Sequence, residues 1–115
     1  MARKRGRGMR VNILGTYYTI KYKELGAEGI DGYCDYTSKE IMIRSDNENG
    51  VNDFKRLQKK QLRHEIIHAY LAESGLQSNF EHANQWGHEE TMIDWIAIQF
   101  PKILKTFEKI GCYYD

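Results

Sequence analysis

The sequence has few cysteines, almost no net charge and no long hydrophobic run, and each absence excludes a class of protein. Its two cysteines, Cys34 and Cys112, lie far apart without a CxxC motif, which excludes a disulfide framework and favours the reducing cytoplasm. A formal net charge of +1 gives the molecule no strong field toward nucleic acid or a membrane surface. No apolar run reaches the roughly 18 residues of a membrane-spanning helix, so we expect no membrane partner.

The composition and length indicate one globular domain with a charged N-terminal segment. Hydrophobic residues make up 41% and charged residues 29% of the 115 positions, an ordinary balance for a folded domain. The first ten residues, MARKRGRGMR, carry basic side chains without an acid and lack the apolar region of a secretory signal. We expect residues 1–10 to form a flexible basic arm, with nucleic acid as a possible contact, and residues 11–115 to form a single domain.

Two stretches in the first half of the chain have the pattern of β-strands. Residues 11–23, VNILGTYYTIKYK, alternate apolar and polar side chains with a period of two, which predicts one half-buried strand. Residues 33–45, YCDYTSKEIMIRS, place a polar turn between two apolar segments, which predicts a hairpin. Together they predict a small, mostly antiparallel sheet of about three strands.

Two later stretches have the spacing of helices. Asn52 is a suitable N-cap and Gly75 a suitable stop, so we expect a long helix over residues 52–74. From Glu89 the helical period returns, and Pro101 predicts a kink or a break into two helices. The fold class is therefore α+β: a small sheet on a long helix, plus a C-terminal helix or kinked helix pair. The apolar stripe of this C-terminal helical segment consists of Met92, Ile96, Phe100, Ile103, Phe107 and Ile110.

The segment RHEIIHAY, residues 63–70, is the strongest indication of chemistry in the chain. His64 and His68 are four positions apart on the long helix, so they share a face and can bind one zinc ion. Glu65 follows the first histidine and can deprotonate a metal-bound water without being a ligand. A bound metal would explain why these polar side chains stand among apolar neighbours, because it satisfies polar groups that are otherwise costly to bury.

A catalytic zinc site needs a third protein ligand, and four residues are candidates. We favour Glu90, because Asp94 follows it one helical turn later and can orient a ligand histidine by accepting its free N–H. His88 would give a three-histidine site, and Glu89 is the neighbouring carboxylate. Cys34 is the fourth candidate, because deformylase-type enzymes pair an upstream cysteine with HExxH.

Three tyrosines could place a phenol near a developing oxyanion. They are Tyr33, Tyr36 and Tyr70. The sequence does not rank them, and ordinary aromatic packing explains each one equally well.

HEIIH followed by EETMID resembles the gluzincin pattern HExxH…ExxxD of the zincin metallopeptidases. This resemblance implies that His64, His68 and Glu90 are metal ligands. It also implies that Glu65 is the general base and that Asp94 is the acid behind a ligand histidine. The phrases ILGTYYTI, DGYCDYTSKEIMI, RHEIIHAYLAESGL and DWIAIQFPKI are similar to small phage and prophage proteins related to the ImmA/IrrE group, and they extend the resemblance over most of the chain.

The resemblance implies a minimal zincin-like fold and a zinc-dependent metallopeptidase that hydrolyses a protein or peptide substrate. If the chain is phage-encoded, we expect it to act in the cytoplasm of the host cell. Two alternatives remain open. One is a catalytically silent, zinc-binding regulatory module that acts on a host or phage protein. The other is a different hydrolase with the same motif, of the deformylase type or acting on nucleic acid.

Overall fold

The first strand expected from the sequence is a hairpin of two strands. The computed structural model describes residues 8–75 and 90–114, and at positions 90, 91, 93, 94 and 97 it describes the backbone alone. Strand β1, Met9–Ile13, pairs antiparallel with β2, Thr16–Lys23. The loop between them is Leu14 and Gly15, whose φ angles are 52° and 95°. Two-residue hairpin loops require such positive φ values, but leucine rarely adopts them, which is why the sequence reads as one strand.

Because β1 starts at Met9, the last two residues of the expected basic arm belong to the sheet. Arg10 lies on this edge strand with its guanidinium 4.2 Å from the centre of the Tyr17 ring, a cation–π contact across the hairpin. The rest of the arm, residues 1–7, lies outside the described residues.

The hairpin expected over residues 33–45 is confirmed. Strand β3, Gly32–Asp35, pairs antiparallel with β4, Glu40–Arg44. The carboxylate of Asp35 accepts a hydrogen bond from the backbone N–H of Thr37 at 2.9 Å, which closes the turn.

The sheet has four strands in the order β1-β2-β4-β3, rather than about three. After β2 the chain passes through a short 3-10 turn, Gly26–Glu28, to the far edge of the sheet. It forms β3 there and returns as β4 between β3 and β2. The β2–β4 pairing is therefore parallel, while the two hairpins are antiparallel. This arrangement leaves β3 as an edge strand.

Helix α1, Phe54–Glu73, matches the predicted long helix within two residues at its start. Its N-cap is Asp53 rather than Asn52, and the Asp53 carboxylate accepts from the N–H of Arg56 at 3.4 Å. One face of α1 is buried against the sheet, as the apolar spacing predicts. The apolar residues on this face are Leu62, Ile66, Ala69, Tyr70 and Leu71.

Helix α2, Glu90–Ile110, is a single helix that runs through Pro101. Of the two expected arrangements, a C-terminal helix or a kinked helix pair, the structure therefore has the single helix. A proline in a helix interior removes one backbone donor, yet the helix continues on both sides of Pro101. The predicted apolar stripe is buried only in its second half, at Ile103 and Phe107. Ile96 and Phe100 are 48% and 51% exposed.

One hydrophobic core joins the sheet to both helices. Tyr18, Ile41 and Ile43 from the sheet pack with Ile66 of α1 and Phe107 of α2. The α+β class and the mostly antiparallel pairing are thus as the sequence predicts. Within residues 8–75 and 90–114, neither helix combines the length and apolar character needed to cross a membrane.

Candidate metal centre

The two histidines of the HEIIH segment converge on one point beside α1. The Nε2 atoms of His64 and His68 are 3.1 Å apart, with ring centroids 4.8 Å apart and planes at 67°. Two nitrogens on one zinc ion, each at ~2.05 Å and at a tetrahedral angle, would be about 3.3 Å apart. The pair therefore fits two adjacent corners of a zinc site. Both side chains are exposed, so the site is open to solvent.

Glu65 lies beside this pair but on the buried side of the helix, with 4% of its surface exposed. One of its carboxylate oxygens is within 4.8 Å of the ligand nitrogens of both histidines. Oε2 of Glu65 accepts a hydrogen bond from Nε2 of Gln61 at 2.6 Å. At this distance the carboxylate is close enough to bind a water molecule beside the imidazoles.

The histidines and Glu65 line a cleft of about 590 Å³ between α1 and β3. Strand β3 forms the opposite wall, and its edge position gives the cleft a length of extended backbone along one side. The cleft is large enough for several residues of a peptide. Its walls are Gly32, Tyr33, Cys34 and Tyr36 on one side, and Gln61, His64, Glu65, His68 and Leu71 on the other.

The structure describes only the backbone of Glu90, the favoured third ligand. Glu90 is the first residue of α2, but its side chain and that of Asp94 lie outside the described part of the chain. The alternatives His88 and Glu89 also lie outside it. The acid ligand expected from α2 therefore stays a prediction.

Cys34 is the one third-ligand candidate whose side chain is described. It lines the cleft, but its thiol is not part of the group of His64, Glu65 and His68 whose donor atoms lie within 4.8 Å of one another. Burial, followed by the negative charge of Glu65, raises the pKa of the Cys34 thiol to about 12. The Cys34 side chain is half-buried and packs against the hydrophobic core.

The structure separates the three candidate tyrosines. Tyr33 and Tyr36 line the cleft and are 37% and 48% exposed. Tyr70 is buried, and its hydroxyl contacts the Thr106 hydroxyl at 2.6 Å, so it joins α1 to α2. Of the three, Tyr33 and Tyr36 therefore line the cleft together with His64 and His68, and Tyr70 is a structural residue.

Polar contacts join β2 and the β3–β4 turn to the end of α1. Oε2 of Glu73 accepts from the Tyr18 hydroxyl at 2.7 Å and from Nζ of Lys39 at 2.8 Å. These two hydrogen bonds, Lys39 first, hold the pKa of Glu73 below its ordinary value. Burial, together with the bond to Glu73, raises the pKa of Tyr18 above its usual range. Lys39 belongs to the β3–β4 turn, so its bond to Glu73 holds this turn against the C-terminal end of α1.

Two residues of the site were not predicted from the sequence. Gln61 precedes Glu65 by one helical turn, a spacing that favours a side-chain hydrogen bond and could have indicated it. Gly32 allows β3 to lie close to both β4 and α1, because a Cβ there would be 2.7 Å from the Met42 carbonyl oxygen of β4 and 3.0 Å from Cγ of Gln61 on α1. No local pattern reveals such a long-range contact.

No protein-family model, curated protein or solved structure matches this chain. The support for a function therefore comes from the arrangement of the side chains.

Proposed function

We propose that the protein is a zinc-dependent metallopeptidase of the zincin type. The observation that carries this proposal is the 3.1 Å approach of the Nε2 atoms of His64 and His68 beside the buried carboxylate of Glu65. A structural zinc site is closed by four protein ligands, whereas among the described residues this histidine pair lines an open cleft. An open cleft beside a pair of histidines that can bind a metal favours a hydrolytic role.

In the proposal His64 and His68 hold the zinc ion together with Glu90 from the start of α2. When bound, zinc acts as a Lewis acid toward a carbonyl oxygen and makes water more acidic. Asp94 lies one turn after Glu90 on the same helix, and its proposed role is to accept the free N–H of a ligand imidazole.

In the proposed reaction, Glu65 transfers a proton from the attacking water to the amide nitrogen of the substrate. Its carboxylate takes a proton from the attacking water while the water oxygen bonds to the scissile carbonyl carbon. The same proton passes from Glu65 to the amide nitrogen, the C–N bond breaks, and the products are a carboxylic acid and an amine. Burial of Glu65 between α1 and the sheet keeps its carboxylate in one place relative to the imidazoles.

The free edge of β3 provides the means to hold the substrate in an extended form. The N–H of Arg44 donates to the Asp31 carbonyl at 2.9 Å, which fixes the alternation of hydrogen-bonded pairs between β3 and β4. Tyr33 and Asp35 therefore pair inward, and the N–H and C=O groups of Gly32 and Cys34 face the open edge. No strand among the described residues pairs with that edge. An extended peptide can add there as a further strand beside the metal pair.

The test is zinc content combined with peptide hydrolysis, for the wild type and Glu65→Gln. We expect about one zinc per chain in both proteins, and hydrolysis of a peptide mixture by the wild type alone. Loss of a general base lowers the rate by about 10² to 10⁴. If the wild type binds zinc but hydrolyses no peptide, and Glu65→Gln retains the biological effect of the wild type, the protein is a metal-binding interaction module. A folded wild type that takes up no zinc overturns both readings.

A further inference from the structure

We propose that Gln61 is a positioning residue for the general base, a role that rests on the peptidase function proposed above. It would act through Glu65, by fixing one carboxylate oxygen so that the other faces the cleft. Neither the HExxH motif nor the metal ligands include this position.

The contact is short and specific. Nε2 of Gln61 donates to Oε2 of Glu65 at 2.6 Å, and both residues line the cleft. Glu65 is 4% exposed, so water has little access with which to replace this bond. A hydrogen bond to a charged, buried acceptor is stronger than one between neutral groups, and it limits rotation of the carboxylate. Oε1 is left without this partner and can bind the attacking water.

The stem of Gln61 is itself held in place. A Cβ at Gly32 would lie 3.0 Å from Cγ of Gln61, so β3 packs directly over the glutamine side chain. The position of the Gln61 amide next to Glu65 is therefore set by two elements: α1, which carries Gln61, and β3, which packs on its side chain. A longer or more mobile donor would not be fixed in this way.

An amide is also the appropriate kind of donor for this task. A lysine or arginine at this position would form an ion pair with Glu65 and reduce its ability to take a proton. The glutamine amide donates a hydrogen bond without a formal charge. It orients the carboxylate and leaves its charge in place.

The kinetic test compares Gln61→Met with Gln58→Met. Methionine keeps the unbranched stem and removes the donor. Gln58 is a matched control, because it lies three residues earlier on α1, is also half-buried and donates to the Arg44 carbonyl at 2.9 Å. We expect Gln61→Met to lower kcat by about tenfold or more, with KM and zinc content little changed. Gln58→Met also removes one hydrogen bond, so it should lower the free energy of unfolding without this change in kcat.

A second measurement reads the contact without activity. In the ¹⁵N–¹H spectrum of the metal-free protein, the side-chain amide of Gln61 is the resonance absent from Gln61→Met. Glu65→Met should shift this resonance toward the position of a solvent-exposed amide, while the resonance of Gln58 stays in place. An unshifted Gln61 resonance, or equal kcat for the two glutamine variants, overturns the role of Gln61. If the resonance shifts but the wild type hydrolyses no peptide, the peptidase function fails, the contact stands, and Gln61 has no base to position.

Discussion

The Nε2 atoms of His64 and His68 lie 3.1 Å apart, close to the separation of two nitrogens that share a zinc ion. The spacing results from the helix, because residues four apart lie on one face one turn apart. The same spacing brings two rings into contact without metal, so metal binding is the first property to test.

We expect zinc to raise the stability of the wild type and to have no such effect on His64→Ala or His68→Ala. A ligand at 100 times its Kd stabilises the folded state by about 2.7 kcal/mol, which raises the Tm of a domain this size by roughly 10 °C. Thermal unfolding with and without zinc measures the shift. His82→Ala is the control, since this histidine is not in the motif. Equal shifts in all four proteins would mean that zinc binds elsewhere.

Gly32→Ala should disturb both the fold and the cleft. The added methyl group would lie 2.7 Å from the Met42 carbonyl oxygen, so β3 must move away from its neighbours. We expect a loss of about 1–3 kcal/mol in the free energy of unfolding, measured with urea. Because the methyl group also meets Gln61, the double variant with Gln61→Ala should lose less than the sum of the single losses. Exact additivity would show that Gly32 and Gln61 are not packed together.

Glu73 should make the stability depend on pH in the acid range. Its pKa is lowered in the folded protein by Lys39 and Tyr18, so its contribution is fully present above the ordinary value of 4.5. This contribution is lost as the pH falls below 4.5 through the lower, folded value. We expect Glu73→Gln to be less stable than the wild type by about 1–2 kcal/mol at pH 7. Urea unfolding at several pH values should show the difference shrinking below pH 4.5, and a constant difference would contradict it.

Much of the fold could be predicted because its determinants are local. The β3–β4 hairpin and α1 follow from alternation and from helical spacing, which depend on near neighbours. The β1–β2 turn could not be predicted, since Leu14 adopts a positive φ that its residue type disfavours. The parallel β2–β4 pairing depends on where β3 crosses the sheet, and no local pattern carries this information.

The candidate site likewise has one part that the sequence predicts and one part that it does not. His64, Glu65 and His68 form a group because one helix places them, so the sequence is sufficient. The wall opposite them comes from β3, and the contact of Gly32 with Gln61 joins residues that are far apart in the chain. Such a contact is set by tertiary packing, which the pattern of residue types does not specify.

The tyrosines should differ in their effects. Tyr70→Phe removes the buried contact with Thr106, so we expect a loss of about 1 kcal/mol in stability and no change in kcat. Tyr33→Phe and Tyr36→Phe should leave stability nearly unchanged, since both side chains are exposed. If either phenol stabilises the oxyanion, its variant lowers kcat by about 10² or more at similar KM. A fall in kcat confined to Tyr70→Phe would contradict the assignment made from the cleft.

Under the proposed function, the third metal ligand decides the class of zinc hydrolase. The zincin proposal predicts that Glu90→Ala loses most of its zinc, because an open site with two histidines alone binds weakly. Cys34→Ala should keep its zinc, since the thiol is outside the group formed by His64, Glu65 and His68. Zinc content of the dialysed proteins measures both effects, with Glu89→Ala as the control for an adjacent carboxylate. Retention by Glu90→Ala and loss by Cys34→Ala would instead assign a deformylase-type ligand set, with β3 supplying the third ligand.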